Sequence, residues 1–129
     1  MLKEIDLNGF TGSETYHQWS SLFPNILMTD GAAYVANNGG RHGAYWLMNM
    51  IASYQPLFVG FPSQAWRLNV DLEKKSADLY MEDGDGKAVF HRIIRYTDFD
   101  IPTIELWVED GALSPDSPTI RVILLPSEH

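Results

Sequence analysis

From Gln64 to Leu72 apolar and polar positions alternate, with Trp66, Leu68, Val70 and Leu72 on one side and Arg67, Asn69 and Asp71 on the other. A period of two puts successive side chains on opposite faces, so this stretch reads as a half-buried strand. The rhythm returns three times. Ala77, Leu79 and Met81 alternate with Asp78, Tyr80 and Glu82. From Lys87 to Tyr96, the residues Ala88, Phe90, Ile94 and Tyr96 face one way, with Arg92 breaking the pattern. Ile104, Leu106 and Val108 alternate with Glu105, Trp107 and Glu109. Asp83-Gly84-Asp85-Gly86 is a hairpin signal, because Asp and Gly tolerate the positive φ of tight turns. Asp98, Asp100 and Pro102 mark a loop, and Asp110-Gly111 begins another turn toward a link stiffened by Pro115 and Pro118. The last strand, from Thr119 to Leu125, is apolar on both faces, as expected when it is central or covered on both sides.

Upstream the period lengthens. Met1 to Phe10 alternates weakly and reads as an edge strand or extended arm. Tyr16, Trp19 and Phe23 are spaced three and four apart, which predicts a helix with Ser13 as N-cap, Glu14 at its positive end and Pro24 as its stop. Ile26-Leu27-Met28 reads as an apolar connector. Thr29 is placed to cap a second helix by accepting from the amide of Gly31 or Ala32, with Asp30 in the first turn. Asn37-Asn38-Gly39-Gly40 ends it, and Arg41-His42-Gly43 forms a hinge. A third helix from Ala44 to Tyr54 carries Ala44, Leu47, Met48, Ile51 and Tyr54 in one stripe. Trp46 and Met50 lie off that stripe, so more than one face is covered, and Pro56 closes the helix. Helices followed by a meander of strands predict an α+β fold, with N-terminal helices packed on one face of a four- to five-stranded antiparallel sheet. A length of 129 residues predicts a single domain over 1–129.

The charge balance adds a constraint on partners. Nine basic against 17 acidic residues give a net charge of −8, which disfavours nucleic acid, whose phosphates call for a basic footprint. The acid suits a basic protein surface, mimicry of nucleic acid, or plain solubility. The absence of cysteine excludes disulfides and thiolate metal sites and fits a reducing compartment. Met1 to Asp6 lacks the basic region and apolar run of a secretory signal, and no apolar run reaches the roughly 20 residues of a membrane span. The expectation is a cytoplasmic chain with no membrane contact.

Phe10-Thr11-Gly12 with Tyr16 and Trp19, Thr29-Asp30-Gly31, Gly43-Ala44-Tyr45-Trp46-Leu47, Ile51-Ala52-Ser53-Tyr54-Gln55, Tyr96-Thr97-Asp98-Phe99 and Leu125-Pro126-Ser127-Glu128 run along nearly the whole chain. On these motifs the chain resembles an uncharacterised family of small bacterial, plasmid and phage proteins, classed as a domain of unknown function. The resemblance implies a prokaryotic, intracellular protein associated with mobile elements. It brings no activity, cofactor or catalytic residue.

Candidate chemistry is sparse. Gly40, Arg41, His42 and Gly43 precede a helix N-terminus, where free amides and the helix dipole can hold an anion. They follow a helix instead of a strand and lack the Lys-Ser/Thr ending of a P-loop, so a helix–helix connection needing positive φ is the alternative. A DNA-reading helix-turn-helix is disfavoured, because the second helix offers aromatic and aliphatic groups where base edges need polar ones. The segment from Glu82 to Gly86 lacks the twelve-residue calcium pattern. His17, His42, His91 and His129 show no metal-ligand spacing, and no metal or cofactor is expected. Asp98 and Asp100 can be paired acid–base carboxylates or ordinary turn residues. Glu105, Trp107 and Glu109 share a strand face, so Trp107 is a candidate interaction surface unless a second layer covers it. The leading expectation is a non-enzymatic module that binds a protein partner. The alternatives are a small-molecule or anion-binding protein or minor enzyme with a pocket near the Gly39–Gly43 loop, and a homodimer formed through the last strand or a sheet edge.

Overall fold

The computed structural model describes residues 16–111 and 120–129. In chain order they form β1 (Ile26–Met28), α1 (Asp30–Asn38), α2 (Tyr45–Ser53), a 3-10 turn (Gln55–Phe58), β2 (Ser63–Asp71), β3 (Ser76–Glu82), β4 (Ala88–Ile94), β5 (Thr103–Gly111), β6 (Ile120–Leu124) and a closing 3-10 turn (Pro126–Glu128). The expected arm over residues 1–10, the Ser13 cap and the Pro115–Pro118 link lie outside the described residues.

The fold is α+β, as expected, but the sheet differs from the expectation. It has six strands in the order β1-β6-β5-β2-β3-β4, and it is mixed. Neighbouring strands from β6 to β4 pair antiparallel, while β1 pairs parallel with β6, Met28 opposite Ile123. The expected apolar connector Ile26-Leu27-Met28 is therefore a strand. Ile26 and Met28 turn into the core and Leu27 turns away. Three residues are too few to display a period, and a parallel partner needs a long crossover that local pattern does not reveal.

The expected helix through Tyr16, Trp19 and Phe23 is also corrected. Residues 16–25 are not helical, and His17 pairs with Met28 in an isolated antiparallel bridge. Trp19 and Phe23 nonetheless pack on the core, and the Trp19 indole donates to Asn49 Oδ1 at 2.7 Å. Their spacing recorded contact with α2 instead of a helical turn.

The inner face of the sheet carries the residues that alternation assigned to it. Trp66, Leu68, Ala77, Leu79, Met81, Ile104, Leu106 and Val108 are buried. Leu72 and Tyr96 are not, because β2 ends at Asp71 and β4 at Ile94, and both side chains lie beyond the paired register, exposed. β5 runs on through Asp110 and Gly111, where a turn was expected. Arg92 occupies the core-facing phase of the edge strand, opposite Leu79, and its guanidinium reaches the Tyr54 hydroxyl. Against this face lie Ala32, Val35 and Ala36 of α1 and Leu47, Met48, Ile51 and Ala52 of α2, all buried. Each large aliphatic side chain buried here contributes roughly 1.5–3 kcal/mol.

The N-terminus of α1 is closed from a distance. Ala32 N donates to Thr29 Oγ1 at 3.2 Å, the expected cap. The Thr29 hydroxyl in turn donates to Glu128 Oε1 at 2.6 Å, Gly31 N donates to Glu128 Oε2 at 3.0 Å, and Leu125 N donates to Glu128 Oε1 at 3.0 Å. The carboxylate satisfies amides left over at the helix start and sits at the positive end of the dipole. Glu128→Ala is expected to lower stability by about 2 kcal/mol, since three donors lose a charged acceptor. Glu128→Gln should recover part of that loss in thermal melts. An unchanged melting temperature for Glu128→Ala would refute the clamp.

Candidate functional site

The glycine-rich connection between the helices is fully built into the fold. Gly39 N donates back to Val35 O at 2.9 Å. Gly40 and Gly43 hold φ of 78° and 82°, the left-handed region that Gly occupies without a Cβ penalty. Ala44 N then donates to Ala36 O at 2.7 Å and locks the second helix onto the end of the first. The amides that resembled an anion nest have carboxylate partners within the chain. Gly40 N donates to Asp100 Oδ1 at 3.1 Å and Arg41 N to Asp98 Oδ2 at 2.9 Å. Thus Asp98 and Asp100, considered as an acid–base pair, meet the loop considered as an anion site. Buried Phe99 lies between them, its amide donating to Thr97 Oγ1. The Arg41 and His42 side chains are exposed.

The histidines are dispersed. His17 Nε2 lies 2.8 Å from Asp30 Oδ1, His91 Nε2 lies 3.0 Å from Asp78 Oδ1, and His129 Nε2 lies 2.8 Å from Glu109 Oε1. His17 is beside one edge of the sheet and His91 is on the other. Among the described residues no group of three or more His, Asp or Glu could hold a metal ion. The Glu82–Gly86 segment is the β3–β4 hairpin, with the Asp83 carboxylate accepting from the amides of Asp85 and Lys87 at 2.9 Å each.

Glu105, Trp107 and Glu109 do face away from the helices. Trp107 stands opposite Ala65 and Leu124, and its ring meets His129 edge-on at 5.2 Å. It is half-buried, and its indole nitrogen is buried with no hydrogen-bond partner among the described residues. Glu105 pairs with Arg67 at 3.4 Å, and Glu109 with His129. The strip is therefore screened by the C-terminal turn and by ion pairs, not a bare aromatic patch.

A more open feature lies on the helical side. A cleft of about 610 Å³ is bounded by Leu22, Phe23 and Pro24 on one side, by Ser53, Gln55 and Pro56 after α2, and by Val59, Asp110 and Arg121. It continues through Leu22, Phe23 and Ser53 into a second depression of about 490 Å³ over Trp46, Asn49, Met50 and Arg92. Large apolar side chains stand out in its lining: Leu22 is 81% exposed and Val59 73%. Sequence reasoning missed these residues. The signal available was the apolar run Leu57-Phe58-Val59 between two prolines, at a place where a loop would ordinarily be polar.

The wall of this cleft is rigid. Gln55 Nε2 donates to Gln64 Oε1 and Ile51 O, each at 3.0 Å. Gln64 Nε2 donates to Gln55 Oε1 at 2.9 Å and Phe61 O at 3.0 Å, and Trp66 Nε1 donates to Gln64 Oε1 at 2.8 Å. Arg121 extends the chain outward. Its Nη1 donates to Gln55 Oε1 at 2.6 Å and Phe58 O at 2.9 Å, its Nη2 donates to Val59 O at 3.0 Å, and its Nε lies 3.0 Å from Asp110 Oδ1. Both buried amides thus use every donor and acceptor they have, which fixes the 3-10 turn and Val59 just after it. Among the described residues the lining includes no histidine, and Ser53 Oγ is engaged with Met50 O at 2.7 Å. Such a surface suits apolar recognition better than proton transfer.

These features define an α+β protein with a helix-covered mixed sheet and an apolar-rimmed groove. The chain belongs to a family of unknown function (DUF6876), which it matches over residues 1–129. No curated protein and no solved structure matches it. No helix among the described residues is long and apolar enough to cross a membrane.

Proposed function

We propose that this protein is a non-enzymatic binding module that docks a protein partner in the groove along α2, in an accessory role on a mobile element. The carrying observation is the exposure of Leu22 and Val59 in an open cleft whose wall is held by a saturated hydrogen-bond network. Exposed aliphatic side chains cost solubility, and a preorganised apolar patch is the usual form of a contact surface. Leu22→Asp with Val59→Asp tests this. Both positions are exposed, so stability should move by less than about 1 kcal/mol. A specific partner captured from a prokaryotic lysate by the parent chain should be lost, about tenfold or more, by the double variant. Equal capture by both proteins, or no specific partner for a strictly monomeric parent, would overturn the reading.

A second reading is small-molecule binding, with the cleft volume as its support. About 610 Å³ lies within the range of roughly 300–1,000 Å³ common for ligand pockets. The cleft replaces the Gly39–Gly43 loop as the place for such a ligand, because the Gly40 and Arg41 amides already serve Asp100 and Asp98. A thermal-shift screen of metabolites and nucleotides in which nothing raised the melting temperature would sink it.

A further inference from the structure

The two edges of the sheet are unlike. β1 is three residues long, and its outer side is bridged by His17. β4 runs seven residues, and among the described residues no strand lies beyond it. His91, Arg92 and Ile93 are exposed along it, Ile93 at 66%, with Tyr96 at 70% just past its end. From Lys87 to Thr97 this edge carries cations and no carboxylate, while Asp71, Glu73, Asp83 and Asp85 stand in or beside the turns at its two ends. Lys87 precedes β4 and Arg92 lies on it. Arg95 follows it, and Lys74 and Lys75 form the adjoining turn, where Lys75 O accepts from Thr97 N. These are five of the nine basic residues in a chain with 17 acidic ones. None of the five has a carboxylate partner among the described residues, whereas Arg67 reaches Glu82 and Glu105 and Arg121 reaches Asp110.

Cations on an edge strand deter edge-to-edge pairing between copies, and that alone is a sufficient reason for one or two of them. It does not account for exposed Ile93 and Tyr96 in the same place, which an edge built only for protection would avoid. We propose that β4 accepts an extended acidic peptide as a further strand. The outward amides and carbonyls of β4 would supply the ladder, Ile93 and Tyr96 the apolar contact, and Lys87 and Arg95, at its two ends, the partners for carboxylates of the peptide, while Arg92 stays with Tyr54 on the helix-covered face. A second copy of the chain fits worse. Antiparallel self-pairing of β4 sets its cations against one another, and like charges across strands are destabilising. The proposal stands independently of the groove over α2.

The test is a titration of isotope-labelled protein with a seven-residue peptide alternating glutamate and valine, followed by amide chemical shifts and hydrogen exchange. Saturable shifts and slowed exchange are expected over residues 88–94. Affinity should fall about tenfold when Lys87→Glu and Arg95→Glu are combined, with the rest of the spectrum unchanged, and should weaken with salt. Three results would each overturn the proposal: no change at β4, equal binding of a peptide with lysine in place of glutamate, or perturbation centred on Leu22 and Val59. A concentration-dependent dimer that protects the β4 amides would overturn it in favour of self-pairing.

Discussion

Gly43→Ala is expected to lower stability by about 3 kcal/mol, which is roughly 10 °C in melting temperature for a chain of this size. Two effects combine. The residue sits at φ 82°, where an L side chain is strained. A Cβ there would also come within 2.6 Å of Ala36 O, a backbone atom that cannot swing aside. That carbonyl accepts from Ala44 N, so relieving the clash means pulling α2 away from the end of α1. The helix that would move carries Leu47, Met48 and Ile51, each at most 1% exposed. Gly60 is the internal control. A Cβ there meets nothing within 4 Å, so Gly60→Ala should stay within about 0.5 kcal/mol of the parent. Similar melting temperatures for the two variants would show that the helical connection tolerates slack.

Gln64→Leu is expected to cost a comparable amount, about 3 kcal/mol, although leucine is apolar and close in volume. The substitution strands the Trp66 indole N–H and one N–H of Gln55 in a part of the core where both residues are buried. Each orphaned buried donor costs roughly 1–3 kcal/mol, whereas hydrophobic burial gained by leucine is small because Gln64 is already 2% exposed. The mechanism makes a second, sharper claim. Removing the indole donor as well, by Trp66→Phe in the Gln64→Leu background, should harm the protein less than Trp66→Phe does in the parent. A coupling of about 1 kcal/mol in the double-mutant cycle is the expected sign of a shared hydrogen bond. Additive losses would mean that the two side chains act only as volume.

Much of the core-facing pattern could be read from the chain, because alternation in a one-sided sheet is a direct imprint of burial. Trp66, Leu68, Leu79, Met81, Leu106 and Val108 are where their period puts them. Thr29 caps α1 through Ala32, and the Asp83–Gly86 hairpin forms, since both depend on neighbours within a few residues. What failed was non-local. Trp19 and Phe23 are spaced like a helix but lie along α2, which a one-dimensional period cannot distinguish from a turn of their own. Ile26-Leu27-Met28 became a strand only because β6 offers it an edge. The candidate site was hidden for the same reason. The Gly40 and Arg41 amides looked free until Asp98 and Asp100, more than fifty residues away, were seen to fill them. The Gln55–Gln64 pair and Arg121 carry no motif at all. Their polarity is ordinary in sequence and becomes informative only when both amides are found buried and saturated.

The parallel pair of β1 and β6 has a kinetic consequence. Ile26 and Arg121, aligned across that ladder, are separated by ninety-five positions in the chain. Contacts of such long sequence separation incur the loop-closure entropy first and are rewarded late, so they slow folding. The β2–β3 and β3–β4 hairpins close through short turns and can form early. β1 has no sheet partner until β5 has presented β6, and until then Ile26 and Met28 are without their burial. Topology thereby predicts that β1 docks last, although it comes first among the described elements.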